Sequence, residues 1–251
     1  MSELTNWMMV FLRVSAMLAV FPVFSAQNFP VQLRLALGAL MAVMIGSMLP
    51  PMSGHFTDLW GLVGAMMMEV GIGLLLGFAS RMIFFALEMA GGIITSEIGL
   101  SLAPIFNPLS NNQSVAPAAI LYYLAAVLWL TLDMHHWMLA AFEKTYVYLP
   151  IGGAHLSEAL MTDIMARTSE CFLITLQLTA PIIAVSFIIS LVFSVLGRAV
   201  PQMNVFAESF VVRTLVGLTV FGLTMQLMSQ HIANYLHRLP EDILRVAQLM
   251  G

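Results

Sequence analysis

Six ionisable side chains lie inside otherwise apolar stretches of this sequence, and they are the residues with the most chemical potential. They are Arg13, Glu69, Arg81, Glu97, Glu208 and Arg213. A charge at bilayer depth costs at least about 2.5–3.5 kcal/mol on insertion scales, so such residues are normally functional or paired. Two interpretations follow: the groups line a proton or ion path, or they meet partners on other helices or other subunits. Snorkelling at a helix end would account for Arg81.

The spacing of these charges provides no local pairing. Glu208 and Arg213 are five residues apart, so on a helix they point about 140° away from each other. Outside the apolar runs, by contrast, Asp163–Arg167 and Glu241–Arg245 have the i, i+4 spacing of helical ion pairs. We therefore expect the six stranded charges to be buried and to find their partners between helices or between subunits.

No catalytic constellation accompanies the charges. The sequence contains no HExxH, GxSxG or Walker-type glycine loop. His135 and His136 are adjacent, so on a helix they would diverge by about 100°. We expect them in an interfacial loop and not on one metal ion. The sequence therefore predicts no enzymatic activity, no cofactor and no metal site.

Composition indicates an integral membrane protein. Of 251 residues, 60% are hydrophobic and 9% are charged, whereas soluble domains carry roughly 25% charged residues. This excludes an ordinary soluble globule and a disordered chain. A nucleic-acid-binding protein would need a basic face, and the sequence contains one lysine, Lys144, at a net charge of -4. One cysteine, Cys171, excludes a disulfide framework.

Charge-poor windows predict about six helical segments, of which three or four resemble plain membrane crossings. The clearest window is 172–196, interrupted by Pro181, and 214–235 and 115–132 follow it. Shorter or more polar windows cover 7–20, 35–49 and 59–87. Because strand-like alternation is missing from the sequence, the predicted fold is all-α, with residues 1–251 forming a single membrane domain.

Two local features bear on packing and topology. Gly73 and Gly77 have the GxxxG spacing that lets helix backbones approach, although this spacing also arises by chance in apolar sequence. A turn is predicted around Arg198, Pro201 and Gln202. Because basic residues are enriched on the cytoplasmic side of membranes, we expect this turn to face the cytoplasm.

A polar stretch without charge, between residues 101 and 117, is the other unusual feature. Its three prolines, with Asn and Ser, end any helix. Since apolar segments flank it, it is either an ordinary exposed loop or a loop folded into a pore, where Phe106 and Leu109 would seal it. The candidate pore-loop residues are Ser101, Pro104, Phe106, Asn107, Pro108, Leu109, Asn111, Asn112, Gln113 and Pro117.

An ordered set of short blocks along nearly the whole chain resembles the flagellar biosynthetic protein FliR family, whose virulence counterparts are the T-type export-apparatus subunits. The blocks are 11–16, 21–24, 30–34, 69–78, 99–101 with 107–108, 149–153 and 201–206. Each is unspecific alone, but their order is hard to obtain by chance. The sequence departs from the family pattern at Asn107, where aspartate is usual, at Glu97, where glutamine is common, and over Glu208–Val212.

The resemblance implies a subunit of the flagellar or type III protein export gate, in the bacterial inner membrane at the flagellar basal body. It implies a P-like part over about residues 1–170 and a Q-like helical hairpin and tail over about 171–251. The implied partners are the P-type and Q-type subunits (FliP and FliQ), the B-type subunit (FlhB), membrane lipid and exported flagellar proteins. In that family, the loop matching 101–117 plugs the export pore.

The rival interpretation is a small-solute or proton-coupled transporter that uses Glu69, Glu97 or Glu208 as a proton relay. Many such transporters are built from inverted repeats with broken helices in matched positions. No such repeat is found in the sequence.

Overall fold

The computed structural model describes residues 2–25, 29–49, 59–102, 116–155 and 157–251. Within these ranges the structure is helical and has no strand, which confirms the all-α prediction. The helices are α1 (Ser2–Val20), α2 (Pro22–Ser25), α3 (Val31–Gly46), α4 (Leu59–Glu97), α5 (Ala116–Thr131), α6 (Met134–Tyr148), α7 (Glu158–Ala199), α8 (Val205–Leu236) and α9 (Leu239–Met250). A 3₁₀ turn, Leu100–Leu102, follows α4.

Several of these segments have the length and composition to cross a membrane. In the described ranges they are Val31–Met48, Leu59–Glu97, Glu158–Ala199 and Ala207–Met250. A fifth crossing is available if α5 and α6 form one broken span. The prediction of an integral membrane protein is thereby confirmed.

The two longest helices exceed what a bilayer requires. α4 has 39 residues and α7 has 42, so at about 1.5 Å per residue each is about 60 Å long. A hydrocarbon core of about 30 Å covers only half of that length. Large parts of both helices therefore lie outside the hydrocarbon or cross it at a steep tilt.

The predicted interruption at Pro181 is wrong, because α7 continues through this proline. Proline in a helix interior removes one backbone hydrogen bond. Membrane helices tolerate this loss when neighbouring groups satisfy the freed carbonyl. The proline therefore does not mark the end of an element here.

The helices group into two compact units. Unit 1 comprises Met1–Met82, Leu132–Thr168 and His237–Gly251, and unit 2 comprises Ile83–Thr131 and Ser169–Leu236. In unit 1, α1 packs on α3 and α6 packs on α9, whereas in unit 2 α5 packs on α8. α4 and α7 each contribute to both units. The P-like and Q-like division at about residue 170 stays a prediction.

Candidate functional site: a buried ion pair and the base of a polar loop

Two of the six stranded charges, Arg13 and Glu69, meet in the core of unit 1. Arg13 lies on α1 and Glu69 on α4, and both side chains are fully buried. The Nε and Nη2 atoms of Arg13 donate hydrogen bonds to the two carboxylate oxygens of Glu69, at 2.5 and 3.0 Å. This two-point geometry is the strongest form of an arginine–carboxylate pair.

Backbone groups at the end of α6 complete the surroundings of this pair. Arg13 Nη1 donates to the Leu149 carbonyl at 3.1 Å, and the Gly152 amide donates to Glu69 Oε1 at 3.1 Å. The guanidinium carbon lies 4.2 Å from the centroid of the Tyr146 ring. Gly152 has φ +78°, a conformation that favours glycine. Because both charges are hydrogen-bonded, their desolvation cost is offset and the pair connects α1, α4 and α6.

Gly73 and Gly77 bring α4 close to α1 beside the ion pair. A Cβ atom at Gly73 would overlap the Arg13 carbonyl oxygen, and one at Gly77 would lie 2.9 Å from the Met17 carbonyl oxygen. At Gly71, by contrast, an added Cβ would meet nothing within 4 Å. The GxxxG spacing is therefore a packing face, and Gly71 is not part of it.

The other four stranded charges are in different surroundings. Arg81, Glu97 and Arg213 are half-buried, and Glu208 is exposed. The Nη2 atom of Arg213 donates to Ser190 Oγ at 2.7 Å, which links α8 to α7. In this single chain, Glu97 and Glu208 are not enclosed, so their predicted burial concerns the assembled complex and stays a prediction.

A second ionic cluster fastens the C-terminal helix α9 to the beginning of α7. The Nε atoms of Arg167 and Arg245 donate to the two carboxylate oxygens of Asp163, at 2.5 and 2.8 Å, and Arg167 also contacts Asp242 at 2.7 Å. The pair Asp163–Arg167, predicted from its i, i+4 spacing, is confirmed. The contact of Arg245 with Asp163 was not predicted, because the two residues are 82 positions apart in sequence.

Both ends of the polar loop are anchored in unit 2. Beyond the last residue of α4, the chain turns at Gly99, where φ is +85°. The hydroxyl of Ser186 on α7 donates to the Glu97 carbonyl at 3.3 Å, and that of Thr214 on α8 donates to the Ile98 carbonyl at 2.8 Å. The end of α4 is therefore held by both long helices of this unit.

Glycines bring backbones together at the same place. A Cβ atom at Gly91 would overlap the backbone of Ala118 at the start of α5, and one at Gly217 would overlap the side chain of Ile98. The ring of Phe210 lies 3.0 Å from where a Cβ of Gly99 would be. The segments that enter and leave the loop thus pack tightly on the helices around them. We call these contacts the loop base.

Most of the predicted pore loop lies outside the described residues. Ser101 is exposed in the 3₁₀ turn, and Pro117 is buried at the start of α5. The remaining candidates, which the structure does not describe, are Pro104, Phe106, Asn107, Pro108, Leu109, Asn111, Asn112 and Gln113.

The predicted turn after α7 is present, between Ala199 and Val205. Arg198, Pro201 and Gln202 are all exposed. The amide of Ala207 donates to the Asn204 side-chain oxygen at 3.3 Å, which helps to begin α8. Within unit 2, α7 and α8 are antiparallel, and we refer to residues 169–236 as the hairpin.

The expectation that His135 and His136 diverge in a loop is wrong. Both belong to the first turn of α6, and their ring centroids are 4.0 Å apart. Asp133 precedes this helix with φ +55°, and its Oδ1 lies 3.8 Å from Nδ1 of His136. Helical spacing separates the two Cβ directions, but the side-chain torsions bring the rings together, which sequence spacing does not predict.

Comparison with known proteins assigns these features to one family. Residues 4–239 match the model of the family described as bacterial export proteins, family 1. The chain is 31% identical to flagellar biosynthetic protein FliR of Caulobacter vibrioides, over 86% of this chain and 87% of that protein. It is 30% identical to FliR of Escherichia coli strain K12 (93% and 90%) and 25% identical to FliR of Bacillus subtilis strain 168 (98% and 95%).

Proposed function

The chain belongs to the bacterial export proteins, family 1, as a FliR-type subunit of the flagellar type III export apparatus, and we propose that it helps to form and close the protein-conducting channel. The observation that carries this proposal is the loop base. There, hydroxyl groups of α7 and α8 and closely packed glycines hold both ends of an uncharged, proline-rich segment.

The chemistry of the loop supports its role as a plug. It has no charge that would favour bulk water, and its prolines prevent a helix. Its Asn, Ser and Gln side chains can satisfy a non-helical backbone in a confined space. Phe106 and Leu109 would supply the apolar contacts of the closed state. A firm base with a separate closing segment suits a gate that opens without disassembling.

The proposal also names surroundings for the chain. We place it in the bacterial inner membrane at the flagellar basal body, beside FliP-type and FliQ-type subunits and in contact with an FlhB-type subunit. Exported flagellar proteins would pass through the channel as substrate. The turn at Arg198, Pro201 and Gln202 would face the cytoplasm. On this proposal the chain is a structural part of the conduit and catalyses no reaction.

The transporter alternative receives no support from the geometry of Glu69. A proton-relay carboxylate must exchange protons with water or a neighbouring acid. Glu69 is fully buried, and it accepts hydrogen bonds from Arg13 and from the Gly152 amide. This carboxylate has the surroundings of a structural ion pair, not of a relay.

Deleting residues 107–113 tests the plug. The complex should still assemble, because the loop base lies outside the deletion, but the membrane should leak ions or small solutes. Conductance of the reconstituted complex in a planar bilayer measures the leak, and co-purification of the FliP-type partner measures assembly. Phe106→Asp should leak in the same direction but less, and Phe106→Leu is its matched control. If the deleted complex assembles with unchanged conductance, the loop is only a connector.

A further inference from the structure

We propose that Asp133, His135 and His136 bind one divalent transition-metal ion of the zinc class at the break between α5 and α6. Each residue offers one ligand atom, and the three atoms lie within 4.8 Å of one another. All three residues lie within four positions, so the site belongs to one short segment of unit 1. Its formation does not depend on the export function proposed above.

The ligand chemistry selects the class of ion. Two imidazole nitrogens and one carboxylate oxygen suit zinc, copper or nickel, whereas calcium and magnesium prefer sites made entirely of oxygen. Metal–ligand distances of about 2.0–2.2 Å would place neighbouring ligand atoms on zinc roughly 3–3.5 Å apart. The side chains of Asp133 and His136 are 74% and 70% exposed, so they are free to close the remaining distance by rotation.

The backbone at the break points to a constrained arrangement. Asp133 is the one residue other than glycine with positive φ among those that the structure describes. A left-handed conformation costs roughly 1–2 kcal/mol for an ordinary residue, although aspartate tolerates it better than most. This conformation directs the carboxylate back toward the first turn of α6, where it faces His136. A bound ion would therefore brace the start of α6 with three side chains.

Zinc binding by the full-length chain tests the proposal. The protein, purified in detergent with its co-expressed partners and without a histidine tag, is dialysed against micromolar Zn²⁺, and bound metal is counted. We expect one Zn²⁺ per chain at this site. His136→Gln should weaken the affinity at least about 10-fold, because one of three ligands is lost. His231→Gln, which changes an exposed histidine on α8, is the matched control and should leave the affinity unchanged.

Two further measurements keep the proposal falsifiable if His136→Gln does not fold. Asp133→Asn keeps a residue that tolerates positive φ and removes the charged ligand, so it should also weaken zinc binding. The electron paramagnetic resonance spectrum of the Cu²⁺ form should show two coordinated nitrogens, and the spectrum of the Asp133 variant should keep them. Failure of the wild-type chain to retain zinc, or zinc affinity that neither variant changes, would overturn the proposal.

Discussion

The ion pair of unit 1 and the hairpin of unit 2 solve the problem of polarity in an apolar chain in opposite ways. Arg13 and Glu69 neutralise each other completely inside the chain. The hairpin instead uses single hydroxyl groups, such as those of Ser186 and Thr214, which donate to the carbonyls at the end of α4. A charged two-point pair depends on both partners, whereas a neutral hydrogen bond contributes only about 0.5–1.5 kcal/mol net.

Burial of the long helices differs in the same direction. In the most apolar part of α4, 61% of residues are buried within the chain, against 11% for the corresponding parts of α7 and of Ala207–Met250. Large apolar side chains such as Phe187, Val195 and Leu215 are exposed on the hairpin. The hairpin surface therefore requires lipid or neighbouring subunits to cover it. The comparison teaches that the ion pair is self-sufficient, whereas the hairpin is built for assembly.

Breaking the ion pair should have the largest effect. Arg13→Met leaves a buried carboxylate without its charged partner, and this costs about 3–5 kcal/mol, as much as many domains have in reserve. The variant should accumulate poorly in the membrane, as measured by immunoblotting. Glu143→Gln, which removes an exposed charge on α6, is the control and should accumulate normally.

The double variant Arg13→Met with Glu69→Leu sharpens this prediction. Because two apolar side chains leave no uncompensated charge, accumulation should recover at least partly. If the double variant is as poor as the sum of both single changes, the two residues act independently and the proposed role of the pair in unit 1 is wrong.

Glycine substitutions should have the next largest effects, and they compare the two regions directly. Gly73→Ala in unit 1 and Gly91→Ala in unit 2 each place a Cβ against a neighbouring backbone. We expect each to destabilise its region by about 1–3 kcal/mol. The matched controls Gly71→Ala and Gly92→Ala meet nothing within 4 Å, so alanine should be neutral or stabilise the helix by up to about 1 kcal/mol.

Thermal unfolding in detergent, followed by intrinsic fluorescence, measures these differences. Within each pair, the variant with the close contact should unfold at the lower temperature. Equal transition temperatures for the Gly91 and Gly92 variants would mean that α4 and α5 do not pack at the loop base as described.

Sequence predicted the fold class and several local features well, because they depend on short-range patterns. Composition indicated the membrane environment, and the i, i+4 spacing of Asp163 and Arg167 gave a pair that the structure contains. Windows of low charge located parts of α5, α7 and α8. These are properties of neighbouring residues, which spacing along one helix is sufficient to reveal.

Contacts between distant residues were not predictable in the same way. Arg13 and Glu69 were recognised as stranded charges, but a separation of 56 positions concealed that they pair with each other. Pro181 was interpreted as an interruption because proline breaks isolated helices, whereas α7 continues through it. The two histidines were expected to diverge because spacing fixes Cβ directions and not side-chain torsions. Tertiary contacts and rotamers decided each of these cases.

Site-specific crosslinking to cargo during export tests the central claim most directly. A photo-crosslinking amino acid replaces Asn107, and cells export a flagellar protein fused to a stably folded domain that stalls it in the channel. The same amino acid at Val147, an exposed position of unit 1, is the control. If the chain forms and closes the channel, the stalled protein should crosslink to position 107 and not to position 147. Failure to crosslink at any position from 106 to 113, in a gate that assembles and exports, would contradict the claim.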